Sequence, residues 1–135
     1  MTAPAAGELA IRTETDIVMA RKCVREVSVA LGFGITDVTR IVTAASELVR
    51  NIYLYAGSGV LRWQTLDGGQ PGLELIFEDQ GPGIADLSLA LQPGYSSGKG
   101  LGMGLPGSKR LMDDLVVHSE LGKGTTVRVK KWLRR

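Results

Sequence analysis

"VLRWQTLDGGQPGLELIFED" occupies residues 60–79, where the apolar period of the chain changes. Residues 60–66 and 73–79 read as two strands rich in β-formers, and "DGGQPG" between them is dense in turn residues. Together they predict a hairpin. On its N-terminal side the period is helical. "TDIVMARKCVREVSVALGFG" carries Ile17, Ala20, Val24, Val27 and Leu31 on one stripe. Thr15 or Asp16 is the expected N-cap and Gly32 the expected stop. A second helix is expected from just after Thr36 to about Tyr55, with Ile41, Ala45, Leu48, Val49 and Ile52 inward. "ELAIRTE" (8–14) alternates and predicts a first strand. On the C-terminal side a third helix is expected around 105–113, then a second hairpin from 115–120 and 125–133. Strand, two helices, hairpin, helix, hairpin implies an α+β chain with one sheet and helices on one face.

The 135 residues allow one core, and the whole of 1–135 is expected to be a single domain. A formal net charge of +2 gives no argument for nucleic acid, and "RVKKWLRR" (128–135) reads as a solvated strand edge. Cys23 is the only cysteine, which points to a reducing, cytoplasmic setting, and it is expected to pack inertly in the first helix. "MTAPAAGELA" lacks the features of a signal peptide, and no apolar run approaches the roughly 18 residues of a membrane span. His118 stands alone in a strand and reads as structural.

Three polar clusters can carry chemistry. Glu47 and Asn51 in "ELVRN" are four apart and share a helical face. A carboxylate there can accept a proton and an amide oxygen suits Mg²⁺; a solvent-exposed pair is the alternative. "EDQGPGI" (78–84) ends a buried strand, so Asp79 is placed to accept a hydrogen bond from an exocyclic amine while Gly81 and Gly83 admit a flat ring. A plain acidic turn is the alternative there. "SSGKGLGMGLPGSKRLMDD" (96–114) concentrates glycine at 98, 100, 102, 104 and 107 ahead of a helix. It is not a GxxxxGK[ST] loop, because Gly100 follows Lys99. Its formal GxGxxG has no preceding strand, which excludes a dinucleotide fingerprint. Successive amides running into a helix remain suited to phosphates, with Lys99 as a point charge.

In this order and spacing, E-x-x-x-N, D-x-G-x-G and G-x-G-x-G resemble the GHKL superfamily of ATPases and kinases, and "GKGTTV" (122–127) is similar to its last motif. The resemblance runs from Ile11 to the end of the chain. It implies the Bergerat ATP-binding fold, a two-layer α/β sandwich with a mixed, mostly antiparallel sheet. It implies ATP and Mg²⁺ as cofactors, Glu47 as general base and Asn51 as metal ligand. Asp79 would read the adenine amine, helped by Gly81, Gly83 and Ile84. Lys99, Gly100, Leu101, Gly102, Met103 and Gly104 would cover the phosphates within a lid of about 86–104, and Thr125 would approach phosphate. The short chain is similar to the minimal bacterial serine/threonine kinases of stress-response partner switches. That implies STAS-domain stressosome proteins as phosphorylated partners and a PP2C-type phosphatase as output, with no nucleic-acid or membrane partner. Anti-sigma factor kinases, a plain ATPase and an ATP-dependent binding module are the alternatives. Arg21 and its neighbours on the first helix are exposed candidates for a partner surface.

Overall fold

The computed structural model describes residues 6–81 and 105–134. The described elements are β1 (Ala6–Ile11), α1 (Glu14–Leu31), α2 (Ile35–Asn51), a π-helical turn (Ile52–Ala56), β2 (Gly59–Asp67), β3 (Pro71–Asp79), α3 (Leu105–Leu111), β4 (Asp114–Glu120) and β5 (Gly124–Trp132). The sheet order is β1-β2-β3-β5-β4. Every pairing among the described strands is antiparallel, so the mixed component expected for the sheet is absent from them. The α+β class and the single sheet stand as expected.

β3 lies at the centre of the sheet, which explains its near-continuous apolar sequence. Leu73, Leu75 and Phe77 point to the helices and are buried with Leu61, Val127 and Val129 from the neighbouring strands. Ala20, Val24 and Val27 of α1 and Ile41, Ala45, Leu48 and Val49 of α2 close the same core from above. On the opposite face Ile76 is only 9% exposed, because its cross-strand neighbours are Arg62 and Arg128. Long arginine stems cover apolar surface while their charged heads stay wet. Arg62 also pairs with Glu8 and Glu78, so this face is a charged lattice.

The first helix begins earlier than its spacing suggests. Thr13, not Thr15 or Asp16, is the N-cap: its hydroxyl accepts the Asp16 amide at 3.3 Å while the Asp16 carboxylate accepts the Thr13 amide at 3.0 Å. This reciprocal box ends β1 at Ile11 rather than letting it run to Glu14. The Arg12 and Thr13 amides hold the Asp16 carboxyl below its ordinary range. Gly32 stops α1 with φ 101°, as expected.

The second helix loses its α geometry after Asn51 and continues as the π turn, closed by the Gly57 amide on the Ile52 carbonyl at 2.9 Å. The terminal basic run is also not uniformly solvated, since Lys131 is 4% exposed. Its ammonium donates to the Leu111 carbonyl at 2.8 Å and lies 3.7 Å from Asp113 and 3.8 Å from Asp37. β5, the end of α3 and the first turn of α2 are thereby tied at one point.

Candidate functional site

Asp79 is the last residue of β3 and, by the alternation of the strand, lies on the same side as Leu75 and Phe77, beneath the helices. Its Oδ1 accepts the Gly81 amide at 2.8 Å. Burial raises the carboxyl above its ordinary range; the Gly81 and Thr125 amides offset part of that rise, and the neighbouring Glu78 charge adds to it. A half-buried carboxylate that accepts the Gly81 and Thr125 amides still has lone pairs for a further donor. That suits a neutral N–H donor such as an exocyclic amine.

The surroundings of Asp79 are packed backbone to backbone. A Cβ on Gly59 would lie 2.7 Å from the Ile52 side chain, 2.4 Å from the Glu78 carbonyl and 3.2 Å from the Asp79 Cβ. A Cβ on Gly81 would lie 2.6 Å from that of Ala56. Glycine at both positions therefore lets the π turn descend onto the end of β3. Because Ile52 directly follows Asn51, the end of α2 is brought to the Asp79 end of the sheet. Asn51 is half-buried there. On the other side Gly124 has φ 119° and approaches so closely that a Cβ would collide with the Asp79 carbonyl at 2.1 Å.

Thr125 stands opposite Asp79 in the β3–β5 register, and its hydroxyl shares a 2.9 Å hydrogen bond with that of Ser119. It therefore belongs to the carboxylate end of the site, although the family resemblance implies an approach to phosphate. Glu47, one turn before Asn51, is exposed in a groove between α1 and α2 whose lining includes Arg21, Arg25, Thr43, Ser46 and Arg50. Gly83, Ile84, Lys99, Gly100, Leu101, Gly102, Met103 and Gly104, with the lid expected over 86–104, lie outside the described residues. The structure thus joins Asn51, Asp79, Gly81 and Thr125 around one end of the sheet and sets Glu47 one helical turn away.

The close-approach roles of Gly59, Ala56 and Gly124 escape a reading by motif. Their signal is the register of strands distant in sequence, which one-dimensional spacing does not contain. Arg25 and Arg50 were equally hidden, although Arg21 and Arg25 are four apart on one helix. Among the described residues no group of three or more His, Cys, Asp or Glu side chains is placed to hold a metal ion. Asn51 carries an amide oxygen, a hard donor of the kind that suits Mg²⁺. No described helix is long and apolar enough to cross a membrane.

Comparison with known proteins adds an independent finding. A family model described as histidine kinase-, DNA gyrase B- and HSP90-like ATPase matches residues 36–135. The serine/threonine-protein kinase RsbT of Bacillus subtilis (strain 168) is 54% identical over 125 residues, covering 92% of this chain and 94% of that protein. An anti-sigma F factor of Thermoanaerobacter sp. (strain X514) is 32% identical over 119 residues, covering 84% of this chain and 83% of that protein. Among solved structures, a mycobacterial sensor histidine kinase, MprB, matches with a TM-score of 0.54 at 21% identity, covering 70% of this chain and 71% of that one. That last likeness concerns the fold.

Proposed function

The chain belongs to the histidine kinase-, DNA gyrase B- and HSP90-like ATPase family and is an ATP-using protein serine/threonine kinase of the partner-switch type; on that premise we propose that it transfers the γ-phosphoryl group of ATP to a serine or threonine of a STAS-domain regulatory protein. Released from that partner, it activates a PP2C-type phosphatase in a stress-response switch. The whole of 1–135 works as one cytoplasmic nucleotide-binding domain.

The observation that carries this reading is the convergence of the end of α2, the end of β3 and the start of β5 at Asp79. Asp79 accepts the adenine amine, and Thr125 adds a hydroxyl on the same side. Gly81 and Gly83 keep the backbone thin beside the ring, next to Ile84. Asn51 would hold Mg²⁺ through its amide oxygen. Lys99, Gly100, Leu101, Gly102, Met103 and Gly104 provide amides and a charge for the phosphates. ATP is the phosphoryl donor, and Mg²⁺ would supply positive charge against its phosphates. Glu47 removes the proton of the acceptor hydroxyl as that oxygen bonds to phosphorus; the bond to the ADP oxygen breaks, and ADP leaves with the electron pair.

Positioning and electrostatics dominate such transfers, and a placed base contributes about 10²–10⁴-fold. Glu47→Gln is therefore expected to bind ATP normally while transferring label from γ-labelled ATP to a STAS protein at least about a hundredfold more slowly. Transfer at the wild-type rate would remove Glu47 from this role. Free phosphate without labelled partner would mark a plain ATPase. The similarity to anti-sigma F factors favours one second reading, a kinase that also binds a sigma factor; co-purification of a sigma subunit with the ATP-bound chain tests it.

A further inference from the structure

We propose that the groove between α1 and α2 seats the phosphoacceptor segment of the protein substrate and selects a serine or threonine flanked by carboxylates. This rests on the reading of Glu47 as the base. Three arginines from two helices line the groove: Arg21 and Arg25, one turn apart on α1, and Arg50 on α2. All three are exposed. Among the described residues none has a carboxylate within ion-pair distance, whereas Arg40, Arg62, Arg128 and Arg134 are each paired.

Arg12 and Arg110 also lack an ion pair among the described residues, so what sets the groove apart is that three open arginines from two helices converge in it. With a formal net charge of only +2, the chain has carboxylates enough to neutralise most of its cations. It leaves uncompensated cations beside the one carboxylate in the groove, Glu47, which itself takes part in no ion pair among the described residues. A Glu47 clamped by arginine would be a poor proton acceptor. Open arginines can instead receive carboxylates from a second chain, bidentately and without displacing an internal partner. The Thr43 and Ser46 hydroxyls between the charges can bond the backbone of an extended segment. Glu47 itself disfavours a continuous phosphate backbone along this groove, so a peptide fits the charge pattern better than a nucleic acid.

The test uses the full chain, two fluorescent serine peptides that differ only in Asp/Glu against Asn/Gln flanks, and γ-labelled ATP. Wild-type protein is expected to bind the acidic peptide at least about tenfold more tightly than the amide peptide, with the preference fading at high salt. R21E and R25E, changes at exposed helix positions that leave the fold intact by circular dichroism, are expected to lose about tenfold or more of that affinity while ATP affinity stays the same. Equal affinity for the two peptides would overturn the proposal, and so would unchanged acidic-peptide binding in both variants. Loss of ATP affinity in R21E and R25E would also overturn it, making the groove a phosphate site for the nucleotide. Tighter binding of a single-stranded oligonucleotide would do the same in favour of nucleic acid. The two readings separate cleanly. Acidic-peptide binding without label transfer keeps the groove and removes the base role, whereas equal labelling of both peptides keeps Glu47 and removes the groove.

Discussion

At the scale of single residues, Asp79 faces two demands of opposite sign. Its carboxyl is raised above the ordinary value of 3.8, first by burial. A folded carboxyl with a raised pKa binds its proton more tightly than the unfolded one does. The free protein therefore gains stability from Asp79 below the unfolded value and loses it as pH rises through the folded value. If Asp79 accepts the adenine amine as proposed, it does so in the ionised form, so nucleotide affinity is expected to fall as pH falls through that same raised value. Asp79→Asn should abolish both trends. With Oδ1 still accepting the Gly81 amide, the variant presents an NH₂ donor where an acceptor is required. It is expected to bind ATP about tenfold to a hundredfold more weakly by calorimetry, without loss of thermal stability at neutral pH. Preference for adenosine over inosine nucleotides should vanish with it. An unchanged preference would show that the amine is read elsewhere.

At the scale of elements, the site is made by backbones that approach without side chains. The π turn after α2 adds a residue to the helical ladder, an irregularity that often accompanies functional sites. It carries Ile52 against Gly59 and Ala56 against Gly81. The β4–β5 hairpin does the same from the opposite side, where Gly124 combines a left-handed φ of 119° with contact on the Asp79 carbonyl. Alanine at Gly124 meets both a conformational cost and a collision. Gly124→Ala is expected to destabilise the fold by at least about 2 kcal/mol in denaturant titration. It should also weaken nucleotide binding, because relief of the collision displaces Asp79. Gly122→Ala is the matching control: its φ is 77°, yet nothing lies within 4 Å of the added Cβ, so it should cost stability without moving the site.

At the scale of the molecule, Lys131 is the tie that joins the layers. Burial alone would raise the Asp113 carboxyl, but the Trp132 amide, Lys131 and Arg134 together hold it below its ordinary value of 3.8. That stabilisation is complete above 3.8 and is lost as pH falls through the lowered folded value. Lys131→Ala leaves Asp113 and the Leu111 carbonyl without their common partner. It is expected to cost about 3 kcal/mol at neutral pH, with the gap to wild type closing in strong acid; a constant gap across pH would assign the loss to packing alone. The tie also shows how far the sequence can be read. The "RVKKWLRR" run looks like a solvated edge because charge pattern carries no depth, and only the register that brings Asp113 and Asp37 to Lys131 makes its burial tolerable. The α1 N-cap lies two or three residues before the position that spacing predicts, for a related reason. Asp16 is as good an N-cap as an N3 partner until the Thr13 geometry decides between them. By itself the sequence determined the α+β class and the element order, because periodicity and local spacing act between residues near one another along the chain; Glu47, Asn51 and Asp79 stand out in it as polar clusters, and Thr125 only through the family resemblance. Tertiary structure alone decided the strand order and the β1–β2 and β3–β5 pairings, that Gly59, Gly81 and Gly124 bring three elements onto Asp79, and that three arginines without an ion pair among the described residues share a groove with Glu47. Those facts depend on contacts between residues distant along the chain, which only the folded register brings within reach.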